Sequence, residues 1–345
     1  MKFLTKRATA LAALGLSASL VLTACGGDSE GSDGGNAEGG DVSLTMLPKN
    51  LGNPYFDTST AGAEAAAEEI GASLEEVGPQ EATPDAQVQY INTAAQQGVG
   101  GLIVSANDPT AICDALNEAR DAGTKVVTFD SDTEPECRDL FINQATAEGI
   151  AQVQLELIAE QTGGSGEIAI LSASANATNQ NAWIEMMEAE LESNPDYADL
   201  ELVDVVYGDD DDQKSFDQTA ALLQSHPDLK GIISPTTVGI KAAAQYLSGS
   251  KYKGKVRLTG LGTPNDMRKY VKNGTVEAFE LWDPAKLGEL AARTAVALAS
   301  GQITGKEGET FEAGAMGEYT IGEDGVIDLG KPTVFNAENI DQYDF

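Results

Sequence analysis

The chain has 345 residues, of which 21 are basic, 55 are acidic and one is His, so its formal net charge is −34 at pH 7. This charge argues against nucleic acid as a partner, because binding to phosphates depends on neutralisation by Lys and Arg. The length is near the upper limit for one hydrophobic core, and two lobes are therefore expected.

The N-terminal segment has the composition of a bacterial lipoprotein signal peptide, predicted over residues 1–25. Three basic residues lie within the first seven, and the apolar run that follows over 8–22 is too short for a permanent membrane span. The run ends in Leu-Thr-Ala-Cys, where Cys25 resembles the lipidated first residue of a mature lipoprotein. An ordinary secretory signal with a chance Cys is the alternative. Residues 26–40 contain no apolar residue larger than Ala and are expected to form a flexible linker.

Two further cysteines, Cys113 and Cys137, are expected to lie in an oxidising compartment after secretion. That environment favours a disulfide between them. A zinc site is not expected, because His226 is the single His and no second Cys lies at ligand spacing. No metal and no cofactor are predicted.

From residue 41 onward, short apolar runs alternate with longer Ala-rich or amphipathic stretches. In the first half, the pattern predicts strands over 42–47, 72–77, 101–104 and 125–130. Helices are predicted between them over 53–71, 84–97 and 109–122, the first opened by an early Pro and the last two ended by Gly.

The second half repeats this alternation up to a Gly-rich tail with short strands. Helices are predicted over 146–161, 179–192, 213–225, 238–247, 264–272 and 284–300, and strands over 167–171, 200–206, 231–234, 255–259 and 276–281. Strands separated by helices of this length form βαβ units on parallel sheets, so the fold class is α/β with two doubly wound lobes. Ligands bind beyond the carboxyl ends of such strands.

The loops that follow the predicted strands supply carboxylates, amides, hydroxyls, one Lys and several aromatic rings. They cover residues 48–56, 130–132, 175–183, 234–237 and 282–284. Paired donors and acceptors suit hydroxyl groups, and flat apolar faces suit ring carbons. The loops therefore favour a polyol as the ligand.

Three of these loops resemble the type I periplasmic sugar-binding proteins. The motifs are Pro-Lys-x-x-Gly-Asn-Pro-x-Phe over 48–56, Asp-Ser-Asp over 130–132 and Leu-Trp-Asp-Pro over 281–284. Segments 130–138 and 334–345 are similar to the branch that holds the rhamnose-binding proteins and the Lsr-type autoinducer-2 receptors. The resemblance extends over the whole mature chain.

This resemblance implies the type I periplasmic-binding-protein fold, with two doubly wound parallel-sheet lobes joined by a hinge. The first lobe is expected to contain 41–143 and 284–312, and the second 144–283 and 313–345. It further implies a monomeric, extracytoplasmic solute-binding lipoprotein of an ABC importer. Its partners would be a small sugar and the permease subunits, and it would touch the membrane through its lipid anchor only.

The autoinducer-2 receptor site can be carried onto this chain residue by residue. Four positions match, namely Lys49, Asp130, Gln180 and Pro235. Two positions depart, because Asn179 stands where those receptors have Asp and Thr237 stands where they have Ala. Both departures resemble the rhamnose-binding members. Rhamnose or a similar deoxy-sugar is therefore preferred over autoinducer-2.

Four more side chains are candidates for ligand contact, namely Phe56, Asp132, Trp183 and Trp282. Asp132 could instead cap a loop, and both tryptophans could belong to the lobe cores. The acidic run over 209–212 lacks the ordered pattern of a Ca²⁺ loop, and is expected to complement the dipole of the following helix.

Other function classes lack their residues. The chain has neither a Gly-x-Ser-x-Gly motif nor a Gly-rich phosphate loop after a predicted strand. Because it has a single His, a general base would have to be a carboxylate. We therefore expect no enzymatic activity. A LacI-type repressor would need a basic DNA-binding head where this chain has a predicted signal peptide. Transport and sugar sensing remain alternatives, because both use closure of two lobes around a ligand.

Overall fold

The structure is a computed structural model and describes residues 42–345. The expected signal peptide over 1–25, the linker over 26–40 and the lipidation of Cys25 lie outside the described residues. Within the described range, no helix combines the length and the apolar character needed to cross a membrane.

Strands and helices alternate as the sequence pattern predicts. The first half contains β1 (Ser43–Leu47), α1 (Pro54–Glu69), β2 (Ser73–Glu76), α2 (Pro84–Gln97), β3 (Gly101–Val104), α3 (Cys113–Asp121), β4 (Lys125–Phe129) and β5 (Leu140–Asn143). The second half continues with α4 (Ala147–Thr162), β6 (Gly166–Ser172), α5 (Thr178–Ser193), β7 (Leu200–Tyr207), α6 (Asp212–Ser225), β8 (Gly231–Ser234), α7 (Thr237–Ser248), β9 (Arg257–Gly260), α8 (Pro264–Lys272), β10 (Ala278–Leu281) and α9 (Pro284–Ala299). The tail adds β11 (Thr310–Glu312), β12 (Glu318–Thr320), β13 (Val326–Asp328) and β14 (Thr333–Asn336).

The first lobe is built on a parallel sheet with the strand order β2-β1-β3-β4-β5-β13. Strands β1, β2, β3 and β4 were predicted from the sequence, whereas β5 was not. Helix α9 packs along α1 and against β3 and β4, so the chain returns to this lobe after residue 284.

The second lobe contains a parallel sheet with the order β7-β6-β8-β9. Strand β10 lies beside β9 through a bridge between Leu261 and Glu280, and it pairs antiparallel with β14. The chain therefore crosses between the lobes three times, after β5, after β10 and after β13. These crossings form the hinge.

The expected lobe boundaries need one correction in the tail. Residues 313–345 were assigned to the second lobe, but β13 pairs in parallel with β5 in the sheet of the first lobe. Ile327 of β13 is buried there. A strand of three residues is too short to show a periodic pattern in the sequence. β13 pairs with β5 because that edge of the sheet is otherwise open.

Two glycines allow helices α1 and α9 to approach closely. A Cβ on Gly62 would lie 2.0 Å from the carbonyl oxygen of Ala285, and a Cβ on Gly288 would lie 1.8 Å from that of Ser59. Neither position has room for a methyl group, because each would overlap with backbone. The backbones of α1 and α9 are thus in close contact, and this contact packs the returning helix onto the first lobe.

Cys113 and Cys137 form the predicted disulfide, with their Cα atoms 5.1 Å apart and a sequence separation of 24. The bond connects the first residue of α3 to the turn after β4. Cys137 belongs to a small apolar cluster with α3, and neither cysteine is among the residues that line the cavity between the lobes.

Candidate functional site

A cavity lies between the two lobes, at the carboxyl ends of the strands of both sheets. It encloses about 360 Å³ of empty space, including its opening to solvent. Its lining comes from both lobes and the hinge: Lys49, Asn53, Tyr55, Phe56, Asp130, Asn179, Gln180, Trp183, Asp210, Pro235, Thr236, Thr237, Leu261, Leu281 and Trp282.

Asp130, directly after β4, provides a buried carboxylate in this cavity. Its Oδ1 accepts a hydrogen bond from the Tyr55 hydroxyl at 3.0 Å, and its Oδ2 accepts one from Ser105 Oγ at 2.8 Å. The Lys49 ammonium lies 3.9 Å from Oδ2. The backbone of Asp130 is left-handed, with φ of 61°. Such conformations cost energy and concentrate at binding and catalytic sites.

Lys49 and Asn179 join the two lobes across the cavity. Lys49 follows β1 in the first lobe, is 4 % exposed, and donates from Nζ to Asn179 Oδ1 at 3.1 Å. Asn179, in the first turn of α5, donates from Nδ2 to the carbonyl oxygen of Asp130 at 3.3 Å. The structure therefore shows the two lobes closed on each other.

Trp282, Tyr55 and Asp130 form a hydrogen-bonded chain along one wall. Trp282 Nε1 donates to the Tyr55 hydroxyl oxygen at 2.9 Å, and that hydroxyl in turn donates to Asp130. Burial raises the pKa of Tyr55 well above its usual value, and the Asp130 carboxylate raises it further. Tyr55 is therefore held as a neutral donor.

Aromatic rings cover the apolar side of the cavity. Trp183 and Trp282 meet edge to face with centroids 6.1 Å apart, and Tyr55 meets Phe56 at 5.0 Å in the same manner. Both tryptophans were predicted at the cleft, and both line the cavity. Each tryptophan is also almost fully buried, so both also belong to the packed interior, as the alternative prediction stated.

Gln180 is fixed by the strand that precedes it. Its Oε1 accepts hydrogen bonds from Ser172 Oγ at 2.7 Å and from the backbone N–H of Ala173 at 2.8 Å. Because both bonds use Oε1, Nε2 is the part of this amide that remains for another acceptor. Pro235 and Thr237, directly after β8, complete the second lobe's side of the cavity.

The residues of the acidic run over 209–212 have different roles. Asp211 caps α6 by accepting from the backbone N–H of Lys214 at 2.7 Å, and Asp209 pairs with the side chain of Lys214. Asp210 instead lines the cavity, where its Oδ1 accepts from the Thr236 hydroxyl. Burial raises the pKa of Asp210, and the charges of Asp130 and Asp209 add to this, whereas Thr236 and Lys49 oppose it.

Asp132 is not among the residues that line the cavity, which corrects its expected contact with ligand. Arg138 donates from Nε to Asp132 Oδ1 and from Nη2 to Oδ2, each at 2.7 Å. The Arg138 side chain is 2 % exposed, and a buried guanidinium requires a carboxylate partner. The second acid of the Asp-Ser-Asp motif therefore belongs to the packing of the first lobe.

The structure brings the other nine candidates together around one cavity, namely Lys49, Phe56, Asp130, Asn179, Gln180, Trp183, Pro235, Thr237 and Trp282. Asn53, Tyr55 and Thr236 also line the cavity; they lie in the predicted ligand loops but are not among the predicted contacts. Asp210 lines the cavity from outside those loops. Asp210 follows β7 closely, so the rule that sites lie at strand ends would have found it. Tyr55 occupies one of the variable positions of the first motif, so the motif gives no signal for it.

A family model described as a periplasmic binding protein domain matches residues 44–303. A sugar ABC transporter protein of known structure from Actinomyces odontolyticus is 56 % identical, with 88 % of this chain and 98 % of that chain covered and a TM-score of 0.72.

Two further solved structures carry ligands. An ABC transporter solute-binding protein from Clostridium phytofermentas with bound L-rhamnose is 39 % identical, covers 88 % of this chain and 98 % of its own, and has a TM-score of 0.84. LsrB from Clostridium saccharobutylicum in complex with AI-2 is 28 % identical, covers 88 % and 100 %, and has a TM-score of 0.84.

The family match covers most of the chain, and these structures share its arrangement of two α/β lobes. The family consists of extracytoplasmic binding proteins of transporters rather than of enzymes. This chain belongs to the periplasmic binding proteins, as a type I sugar-binding protein of an ABC transporter.

Proposed function

We propose that this protein binds L-rhamnose or a similar deoxy-sugar in the cavity between its lobes and delivers it to the permease of an ABC importer. The observation that carries the choice of ligand is the pair Asn179 and Thr237 in the cavity wall. The relative with bound L-rhamnose, at 39 % identity, supports it further.

The polar lining suits a neutral polyol. Asp130 offers a carboxylate that accepts hydrogen bonds, while Lys49 and Gln180 offer donors from opposite lobes. Hydroxyl groups both donate and accept, so one sugar can satisfy all three side chains. The proposed ligand contacts are these together with Asn179, Pro235 and the other predicted lining residues.

The aromatic wall suits the less polar part of the ligand. Phe56, Trp183 and Trp282 present ring edges and faces that pack against carbon-bound hydrogens. A deoxy-sugar carries a methyl group in place of one hydroxymethyl group or hydrogen in place of one hydroxyl, and its apolar surface would be stabilised by burial at about 25 cal/mol per Å². This wall therefore favours a deoxy-sugar over a fully hydroxylated one.

Autoinducer-2 is the competing ligand. Asn179 uses both ends of its amide, accepting from Lys49 and donating to the carbonyl of Asp130. A carboxylate at this position could only accept, and it would add a negative charge beside Asp130. The amide thus makes a set of contacts that the Asp of the autoinducer-2 receptors cannot make.

Delivery would follow lobe closure, in which ligand bridges the two lobes and the closed form is presented to the permease. A sugar-sensing receptor would use the same closure and is the second alternative. We further propose that the protein acts as a monomer, tethered outside the cell by a lipid on Cys25 after removal of the signal peptide.

The test is a titration of the purified protein with a panel of ligands. The chain contains two tryptophans and both line the cavity, so intrinsic fluorescence should report binding directly. L-rhamnose, D-ribose, D-arabinose and autoinducer-2 would be compared by fluorescence and by titration calorimetry. We expect the tightest binding for L-rhamnose. Tighter binding of autoinducer-2 would contradict the choice of ligand and leave the family assignment intact.

A further inference from the structure

Asp210 occupies a position shared by the cavity and by two neighbouring grooves between the lobes. One groove is bordered by residues 80–84 of the first lobe and 174–176 of the second, and the other by residues 52–54 and 237–241. Asp210 lines both grooves as well as the cavity.

The backbone around Asp210 is held in a tight turn that follows β7 and contacts the end of β6. Gly208 donates to the carbonyl of Ser172 at 2.9 Å, and Asp209 donates to that of Ala173 at 2.7 Å. Asp209 and Asp210 are both left-handed, with φ of 53° and 49°. Two consecutive residues in this region are costly, and the surrounding structure has to hold them there. The turn directs Asp210 toward the cavity.

The carboxylate of Asp210 has one free oxygen. Oδ1 accepts from Thr236, whereas no group among residues 42–345 donates to Oδ2. The second lobe's other polar lining residues in this cavity are amides and hydroxyls, so Asp210 is the acid that this lobe contributes. Asp130 is the acid of the first lobe, and Lys49 is the cation that shares the cavity with both.

We propose that Asp210 is a ligand-binding residue that determines specificity: its Oδ2 accepts a hydrogen bond from a sugar hydroxyl and so draws the second lobe onto ligand held by Asp130. This inference rests on the proposed function, because it assumes a sugar in the cavity. Two carboxylates against one ammonium leave the cavity negative, so a neutral sugar is admitted and an anionic one is repelled. A sugar that donates one hydroxyl to each carboxylate would lie between Asp130 and Asp210.

The neighbouring residue Asp209 provides a matched control. Asp210→Asn and Asp209→Asn each remove one charge from the same turn, and Asn tolerates the left-handed backbone as Asp does. Both variants would be titrated with the neutral sugar that wild type binds most tightly among L-rhamnose, D-fucose, D-arabinose and D-ribose. Thermal unfolding without ligand would show that each variant is folded.

We expect Asp210→Asn to weaken sugar binding by roughly ten- to a hundredfold, the loss typical of a hydrogen bond to a charged acceptor. Asp209→Asn should stay within about twofold of wild type, since its partner is Lys214 outside the cavity. Equal affinity of Asp210→Asn and wild type, or an equal loss in both variants, would overturn the inference. If wild type binds none of the sugars, the proposed function fails, and this inference with it.

A second variant keeps the inference testable if Asp210→Asn does not fold. Thr236→Val removes the hydroxyl that orients Asp210 through Oδ1 and keeps the charge. We expect a several-fold loss of sugar affinity. A Thr236→Val protein that binds as wild type does, with Asp210→Asn unfolded, would count against an oriented Asp210 as a ligand contact.

Discussion

Asp130 and Asp132 show how two carboxylates in one loop serve different purposes. Asp130 faces the cavity, whereas Asp132 holds Arg138 in the packing of the first lobe. They are two residues apart and carry the same charge. Substitution of each residue in turn therefore distinguishes the loss of a ligand contact from the loss of a structural ion pair.

Asp130→Ala should weaken sugar binding by roughly ten- to a hundredfold, because a buried charged acceptor is removed from the ligand's hydroxyl groups. Asp132→Ala should leave affinity nearly unchanged and lower the free energy of unfolding by about 3 kcal/mol, because it leaves the Arg138 charge buried and unpaired. Calorimetric titration and chemical denaturation of both variants measure these effects. A larger loss of affinity in Asp132→Ala than in Asp130→Ala would show that the two roles are misassigned.

The choice between rhamnose and autoinducer-2 is predicted to depend on Asn179 and Thr237. The double variant Asn179→Asp with Thr237→Ala should bind L-rhamnose more weakly, because the introduced carboxylate cannot donate to the carbonyl of Asp130 as the amide does. Its affinity for autoinducer-2 relative to rhamnose should increase. Parallel titrations with both ligands test this, and an unchanged ratio of the two affinities would refute it.

Glu280 makes the stability of the protein depend on pH. Its side chain is fully buried on β10, and neither carboxylate oxygen has a hydrogen-bond partner among residues 42–345. Burial raises the pKa of Glu280 well above its usual value, and the nearby Gln154 amide opposes this shift without a bond of good geometry. The folded protein therefore retains a proton that the unfolded chain releases at the ordinary pKa of Glu.

The sign of the effect follows from this difference. Between the unfolded and the folded pKa, the folded state binds one proton more, so the free energy of unfolding falls as pH rises, by at most about 1.4 kcal/mol per pH unit. Glu280→Gln should be more stable than wild type at neutral pH, and the difference should vanish below about pH 4. Chemical denaturation from about pH 4 to about pH 8 measures it, with Glu188→Gln, exposed on α5, as the control. A wild type that gains stability relative to Glu280→Gln as pH rises would contradict the assignment.

At the level of secondary-structure elements, the contact between α1 and α9 decides how the first lobe is closed. Residues far apart in sequence meet there, and each helix contributes a Gly at the point of closest approach. The α9 helix begins directly after Asp283, whose Oδ1 accepts from the backbone N–H of Ala285 at 3.0 Å. The end of β10 and the start of α9 thereby connect the cavity wall to this helix pair.

Gly288→Ala should lower the free energy of unfolding by about 1–3 kcal/mol, the usual range for overpacking. In an open helix the same substitution would stabilise by up to about 1 kcal/mol, so the sign of the change is informative. Gly249→Ala is the control, because a Cβ at that position meets no atom within 4 Å. Denaturant unfolding compares the variants. A Gly288→Ala protein as stable as wild type would mean that the helices can separate at little cost.

At the level of the whole molecule, three crossings between the lobes place the cavity beside the hinge. Trp282 lies at the crossing between β10 and α9 and donates to Tyr55 of the first lobe. Lys49 and Asn179 close the opposite contact between the lobes. Ligand binding and the relative position of the lobes are therefore coupled through side chains that line one cavity.

The sequence predicted most of this fold because its signals are local. Apolar runs, helix-opening Pro and helix-ending Gly identified the strands and helices. The rule of strand ends identified the ligand loops, and the resemblance to the sugar-binding family singled out most of the nine lining residues within them. Asp210 lies in an acidic run whose pattern predicts interaction with the dipole of the following helix, so the sequence does not distinguish it from its acidic neighbours. Strand β5 and the tail strand β13 escaped because each is short and depends on a partner distant in sequence.

The sequence by itself determined the α/β class, the alternation of elements and the family resemblance, since these depend on periodicity and on motifs within a few residues. Only the tertiary structure decided that Asp210 faces the ligand cavity and that Asp132 does not. Asp130, Asp132 and Asp210 all follow strands, and a carboxylate's role depends on its neighbours in space: Ser105 and Tyr55 for the first, Arg138 for the second, Thr236 for the third. Arg138 is close to Asp132 in sequence, but Tyr55, Ser105 and Thr236 come from other segments of the chain, and local sequence carries no information on that packing.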